Sequence, residues 1–153
     1  MKVITRIFGE IEIEDEKIIR FENGIIGFPD MKNFTLIFDN EKEDAASISW
    51  LQSMDKPDIA FPVTDPLYVC EEYNPTVEDE LLKPLGEIRE DNLFILVTVT
   101  VPKNIEDLSV NLKAPIIINT ETRKASQLIV EDDLPVRYGI YKKIKEAKEK
   151  AGE

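Results

Sequence analysis

Carboxylates are the only side chains present in numbers that could do chemistry in this chain. Asp and Glu number 31 against 19 Lys and Arg, histidine is absent, and Cys70 is the single cysteine. The acids gather at Asp39, Glu41, Glu43 and Asp44, at Glu71-Glu72, at Glu78-Asp79-Glu80 and at Glu131-Asp132-Asp133. Such groups can hold a hard cation through oxygen ligands, or set a general acid against a general base. None has the calcium-loop spacing with its central glycine. With a formal net charge of −12, most of these clusters are expected to be solvated surface. At least one has a better use in meeting a basic protein partner. A carboxylate-dependent cation-binding protein or hydrolase stands as the alternative.

Other chemistries are closed off by composition. Without histidine there is no Ser-His-Asp or Cys-His pair, and the usual proton switch is missing. One cysteine and no histidine exclude a structural zinc site. Gly24 and Gly27 frame Ile25-Ile26, but no Lys-Ser/Thr follows, so this is no phosphate-binding loop. It reads as a structural turn, or as an exposed apolar contact patch. No cofactor and no catalytic residues are expected. Nucleic acid is not expected as a direct ligand, because neutralising phosphates needs a basic patch. Residues 137–153 carry six basic against three acidic side chains, which leaves −15 on residues 1–136.

The chain is expected to be soluble and cytoplasmic. Cys70 cannot form an internal disulfide and suits a reducing compartment. The start, Met1 to Arg6, lacks the apolar stretch of a secretory signal. The longest apolar run, Leu93 to Val97, falls far short of the roughly 18 residues a membrane span needs.

The elements that must position these residues are mostly strands. Val3, Thr5, Ile7, Gly9, Ile11 and Ile13 share one parity, as in a half-buried strand bent at Gly9, and Lys17–Phe21 reads as its hairpin partner. Strands follow at Phe34–Phe38, Ile48–Gln52 and Ile59–Val63, where Pro62 argues for an edge or a bulge. Leu67–Cys70 continues the β pattern, with Cys70 as an inert thiol. Trp50, the only tryptophan, reads as core packing. A short helix is expected from an Asn74 cap and Pro75, with Val77, Leu81, Leu82 and Leu85 as its apolar stripe and Pro84 limiting it. Leu93–Val101 is the strongest strand, followed by Ser109–Leu112, Pro115–Asn119 and Ala125–Val130. Tyr138–Ala151 has helical periodicity. The fold class is therefore mainly β: a small antiparallel barrel-like domain over 1–136, with one short central helix, and a C-terminal helix in a 137–153 tail of the same domain.

The ordered set of short motifs resembles the FliW family of bacterial flagellar assembly factors. The residues are Phe21-Glu22-Asn23-Gly24-Ile25-Ile26-Gly27-Phe28, Leu51-Gln52-Ser53 with Ile59-Ala60-Phe61, Asp65-Pro66, and Asn111-Leu112-Lys113-Ala114-Pro115-Ile116-Ile117-Ile118-Asn119 with Lys124-Ala125 and Gln127. The family often has Leu-Pro where this chain has Ile25-Ile26. The resemblance covers residues 2 to about 130 and says nothing of the chain beyond Tyr138. It implies a non-enzymatic regulator with two partners: flagellin, which it binds like a chaperone, and CsrA, an RNA-binding translational repressor that it captures once flagellin is exported. Candidate partner-binding residues are Asp65, Tyr68, Glu71 and Glu72, where a rigid aromatic sits beside charge, together with Gln52, Ser53 and Asn111 from the motifs. With no heptad and no long apolar surface run, the free protein is expected to be a monomer.

Overall fold

The computed structural model describes residues 2–37, 48–142 and 145. The strands are β1 (Lys2–Thr5), β2 (Gly9–Glu12), β3 (Ile19–Phe21), β4 (Asn33–Ile37), β5 (Ser49–Ser53), β6 (Ala60–Thr64), β7 (Leu93–Thr100), β8 (Ser109–Val110), β9 (Ile116–Asn119), β10 (Lys124–Gln127) and β11 (Tyr138–Gly139). Two short helices, α1 (Pro66–Val69) and α2 (Asp79–Leu82), lie between β6 and β7.

Seven strands close a barrel in the order β3-β4-β5-β6-β7-β9-β10, with β10 returning to β3. Six of the pairings are antiparallel. The seventh, β10 with β3, is parallel, matching Lys124 to Arg20 and Ala125 to Phe21. The sequence reading expects antiparallel strands throughout, and this closure corrects it. Two segments about a hundred residues apart each need a neighbour, and the chain between them fixes their relative direction.

The alternation along β7 builds two cores. Phe94 and Leu96 face a cluster with Phe21, Phe34, Leu51, Val63, Ile116 and Ile118. Ile95, Val97 and Val99 face a second cluster on the other side of the strand, with Val69, Tyr73, Leu108, Val110, Leu112 and Ile140. Each fully buried side chain of this size stabilises the fold by about 1.5–3 kcal/mol relative to exposure. Phe21 and Phe34 meet edge-to-face at 5.1 Å. β7 is long enough to pair with β9 along Leu93–Leu96 and with β8 at Val99–Thr100.

Several expected elements differ. Val3–Ile13 is not one bent strand: β1 and β2 form their own hairpin, pairing Val3 with Ile11. Thr5 Oγ1 accepts from Phe8 N–H at 2.8 Å and donates to Gly9 O at 2.9 Å, which folds the chain back at Arg6–Phe8. Period-2 patterning is the same for a strand and a hairpin, and Ile4, 74% exposed, is not facing a core. Lys17–Phe21 pairs instead with β4 and β10, starting at Ile19.

Leu67–Cys70 is not a strand either. Asp65 Oδ1 accepts from Leu67 N–H at 2.9 Å, and Pro66 opens the helix α1 that this cap starts. The helix expected from Asn74 begins later, at Asp79. Thr76 N–H and Oγ1 donate to the Asp132 carboxylate at 2.9 and 3.1 Å, and residues 74–78 form no helix. Tyr138 and Gly139 pair with Val110 and Ser109 as β11, and helical backbone begins at Tyr141. Within the expected C-terminal helix, Lys142 and Lys145 are also helical; its other residues beyond Tyr141, together with Phe38 and the acidic stretch 39–45, lie outside the described residues.

Trp50 is half-buried and meets Phe8 edge-to-face. Pro62 lies in a strand that is interior by order but locally an edge. β6 pairs with β5 from Ala60 to Val63, yet with β7 only at Val63 and Thr64. Beyond Val63 the two strands part, and the parting falls at the residue that has no N–H to offer a ladder.

Candidate functional site

Two surfaces are built at opposite ends of β7, one lined by Leu93 and Ile95 and the other by Thr98, Val99 and Thr100. The first is α1 and the turn after it. The Asp65 carboxylate spends itself on the helix cap, with Pro66 and Val69 facing inward. Leu67 and Tyr68 are left 53% and 55% exposed, and the exposed Glu71 and Glu72 follow within one turn. A large aromatic and an aliphatic side chain thus stand out from a capped helix with two carboxylates at its end. Beneath this knob lies a cavity of about 370 Å³ lined by Leu67, Val77, Leu82, Leu93 and Ile95.

The knob is fastened from below. Tyr73 donates its hydroxyl to Leu112 O at 2.8 Å. Burial, with the Asp132 and Cys70 charges adding, pushes its pKa up to about 12. The two hydrogen bonds from Thr76 hold the Asp132 carboxyl below its usual range. Both contacts tie the segment after α1 to the chain around residues 112 and 132.

The second surface lies at the end of the barrel where β6 and β7 part. Ile25 and Phe28 exchange two hydrogen bonds, N–H to O at 3.2 and 2.7 Å. The turn between them, Ile26-Gly27, is tight, with Gly27 at φ +90°. Gly24 starts this turn at φ +68°, and a Cβ there would sit 2.4 Å from Phe28 O. Gln127 clamps the loop: Ile26 N–H donates to its Oε1 at 3.0 Å, while its Nε2 donates to Ala114 O at 3.1 Å. Phe28 packs edge-to-face on Phe61 at 5.5 Å. The result is a groove of about 420 Å³ walled by Ile26, Phe61, Ala114, Ile129 and Val136.

The structure separates the seven candidate residues into three places. Asp65, Tyr68, Glu71 and Glu72 share the knob. Asn111 lines the barrel-end groove, where its Oδ1 accepts from Lys113 and Ala114 N–H at 3.0 and 3.1 Å and shapes the wall. Gln52 and Ser53 are fully buried. Gln52 Nε2 donates to Ser53 O, Pro57 O and Ile59 O, and Ser53 Oγ accepts from Lys56 N–H. Their work is to form the β5–β6 turn beneath the surface. Asp55 completes that turn. Burial raises its pKa, but the Asn33 and Lys32 hydrogen bonds and the Arg20 charge together outweigh this and hold it below the usual range.

Of the residues that wall this groove, Ile129 and Val136 carry no signal in the sequence, and Lys113 and Gln127 carry one only as members of the ordered motifs. Among the described residues, no three of the metal-ligating types Cys, Asp and Glu come together as a metal would require, and no helix is long and apolar enough to cross a membrane.

The architecture is that of a small closed β-barrel carrying two surface features, the α1 knob and the barrel-end groove. The family model described as FliW protein matches residues 2–140. The chain is 46% identical to the flagellar assembly factor FliW of Lachnoclostridium phytofermentans, covering 100% of this chain and 99% of that one. It is 52% identical to that of Lachnospira eligens, covering 92% and 95%. A crystal structure of the flagellar assembly factor FliW superposes with a TM-score of 0.82 at 30% identity, covering 92% of this chain and 96% of the other. The chain belongs to the FliW family of flagellar assembly factors.

Proposed function

We propose that this protein is a cytoplasmic, non-enzymatic regulator that binds flagellin and, when flagellin is exported, captures the translational repressor CsrA. The observation that carries the CsrA contact is the α1 knob. Leu67 and Tyr68 supply exposed apolar area on a fixed backbone, and Glu71 and Glu72 supply charge for a basic partner. Preorganised aromatic anchors lose little conformational freedom on binding, and rim charges opposite in sign to the partner's raise the association rate.

An acidic body docked on an RNA-binding protein also weakens its hold on phosphates. Residues 1–136 carry −15, and exposed charges act over about 8 Å at physiological ionic strength. Acidic side chains beside the RNA path are therefore required, and no overlap of RNA and protein is. The test is the RNA affinity of CsrA with and without saturating protein across a salt series, expressed as a coupling factor. The factor should be large at low salt and shrink as salt rises. A factor flat with salt would point to steric exclusion instead. Reversing both Glu71 and Glu72 to Lys should slow association with CsrA and flatten its salt dependence, and unchanged rates would remove the knob from the contact.

A further inference from the structure

Among the asparagines of the chain, Asn23 alone is followed by glycine. Asparagine is one of the heat-labile residues. It is most labile before glycine, whose nitrogen has no side chain beside it to hinder attack on the carboxamide carbon. Elsewhere the carboxamides are engaged. Those of Asn33, Asn92, Asn111 and Asn119 all hold neighbouring groups, and Pro75 offers Asn74 no N–H. Asn23 is exposed, and among the described residues its carboxamide has no hydrogen-bond partner. The Gly24 nitrogen is the opposite case. Gly24 is buried, its N–H donates to Phe21 O at 3.0 Å, and it sits at φ +68° against the Phe28 and Pro29 backbone.

We propose that Asn23 is the site of a spontaneous, one-way deamidation that the closed Gly24 loop holds off and that opening of the loop releases. The Gly24 nitrogen gives up its proton and bonds to Cγ of Asn23. The Cγ–Nδ2 bond breaks, and Nδ2 leaves with that proton as ammonia. The cyclic imide that remains takes up one water and opens at either carbonyl, to an aspartyl or an isoaspartyl residue. Nothing is oxidised or reduced. In the closed loop the first step is blocked twice. Phe21 O holds the N–H away from base, and turning the nitrogen toward Asn23 breaks that bond and shifts the Ile25–Phe28 pair behind it. Local opening therefore has to come first. The isoaspartyl product cannot close as before, because its link puts one more carbon in the main chain between Phe21 and Gly24. Gly24 has no space to give: even a Cβ there would lie 2.4 Å from Phe28 O and 2.7 Å from Pro29 Cα. The extra length displaces Gly24, and with it Ile26 from Gln127 Oε1.

The test compares the full chain folded with the full chain unfolded in guanidinium chloride, both held in warm, mildly alkaline buffer. The tryptic peptide Phe21–Lys32 is followed by mass for the change of amide to acid, and its isoaspartate is counted by enzymatic methylation. The unfolded chain should convert about ten-fold faster or more. Gln127→Ala, which releases the Ile26 N–H, should convert faster than wild type while folded, and Asn23→Gln should not convert in either state. The isoaspartyl fraction, returned to native buffer, should lack the native amide resonance of Ile26. Asn23→Asp, which adds the charge without the extra main-chain carbon, should keep it. Equal rates folded and unfolded, or faster conversion at another asparagine of the unfolded chain, would overturn the proposal. So would a folded Gln127→Ala no faster than wild type, a native Ile26 resonance in the isoaspartyl fraction, or loss of that resonance in Asn23→Asp.

Discussion

Two glycines in this chain separate backbone strain from close approach. Gly9 and Gly24 both sit at φ +68°. An added Cβ at Gly9 meets nothing within 4 Å, whereas at Gly24 it falls 2.4 Å from Phe28 O and 2.7 Å from the Cα and carbonyl carbon of Pro29. Gly9→Ala should therefore cost only the left-handed conformation, about 1–2 kcal/mol. Gly24→Ala should carry the same cost plus that of moving backbone away from the new methyl, about 1–3 kcal/mol more. The obstructing atoms are main chain and cannot rotate aside. Moving them also disturbs the turn that presents Ile26. Urea unfolding of wild type and both variants, followed by far-UV circular dichroism, gives the comparison directly. If the two variants have equal midpoints and equal slopes, the close packing of Gly24 under Phe28 and Pro29 does not govern this loop.

Three further outcomes follow from the same geometry. Tyr73, with its pKa raised to about 12, favours the fold fully below its unfolded value near 10, and that contribution is lost as pH rises from 10 to 12; Tyr73→Phe should flatten this part of the stability profile relative to wild type. Asp55, with its pKa lowered by the Asn33 and Lys32 hydrogen bonds against the pull of burial, stabilises the fold above its unfolded pKa and loses this as pH falls through the folded value; Asp55→Asn should reduce stability at pH 7 and narrow the gap to wild type in acid, read from thermal midpoints. The free protein should sediment as a monomer at micromolar concentration, and a tight dimer there would implicate an apolar surface such as the barrel-end groove.

The barrel itself was largely written in the chain. Runs such as Leu93–Val101 and Pro115–Asn119 combine β-branched residues with turn residues on both sides, and both became strands. Where the reading went astray, local and tertiary signals disagreed. Leu67, Tyr68 and Val69 have strand-like side chains, but the Asp65 cap and Pro66 start a helix there, and a four-residue helix has too little length to show a period. Thr76 is tied to Asp132, 56 residues away, through both its N–H and its hydroxyl, a contact no local pattern shows. The candidate surfaces divide in the same way. Asp65, Tyr68, Glu71 and Glu72 lie together because they are neighbours in sequence, but on a helix and turn and not on the expected strand. Ile129 and Val136 join Ile26 in one surface only through folding, and no spacing rule relates them.

The parallel pairing of β10 with β3 also governs when this protein can first work. Contacts between Arg20 and Lys124 span about a hundred residues, and closing so long a loop puts the step among the slow ones for a small domain. On a ribosome adding about 5–20 residues per second, β3 waits roughly 5–20 s for its neighbour to be made. The barrel-end groove straddles that same late seam: Ile26 follows β3, and Gln127, which clamps it, ends β10. A chain whose synthesis has not passed β10 lacks the Gln127 clamp, so the barrel-end groove is among the last surfaces to be completed, after the Leu67–Tyr68 knob has been made.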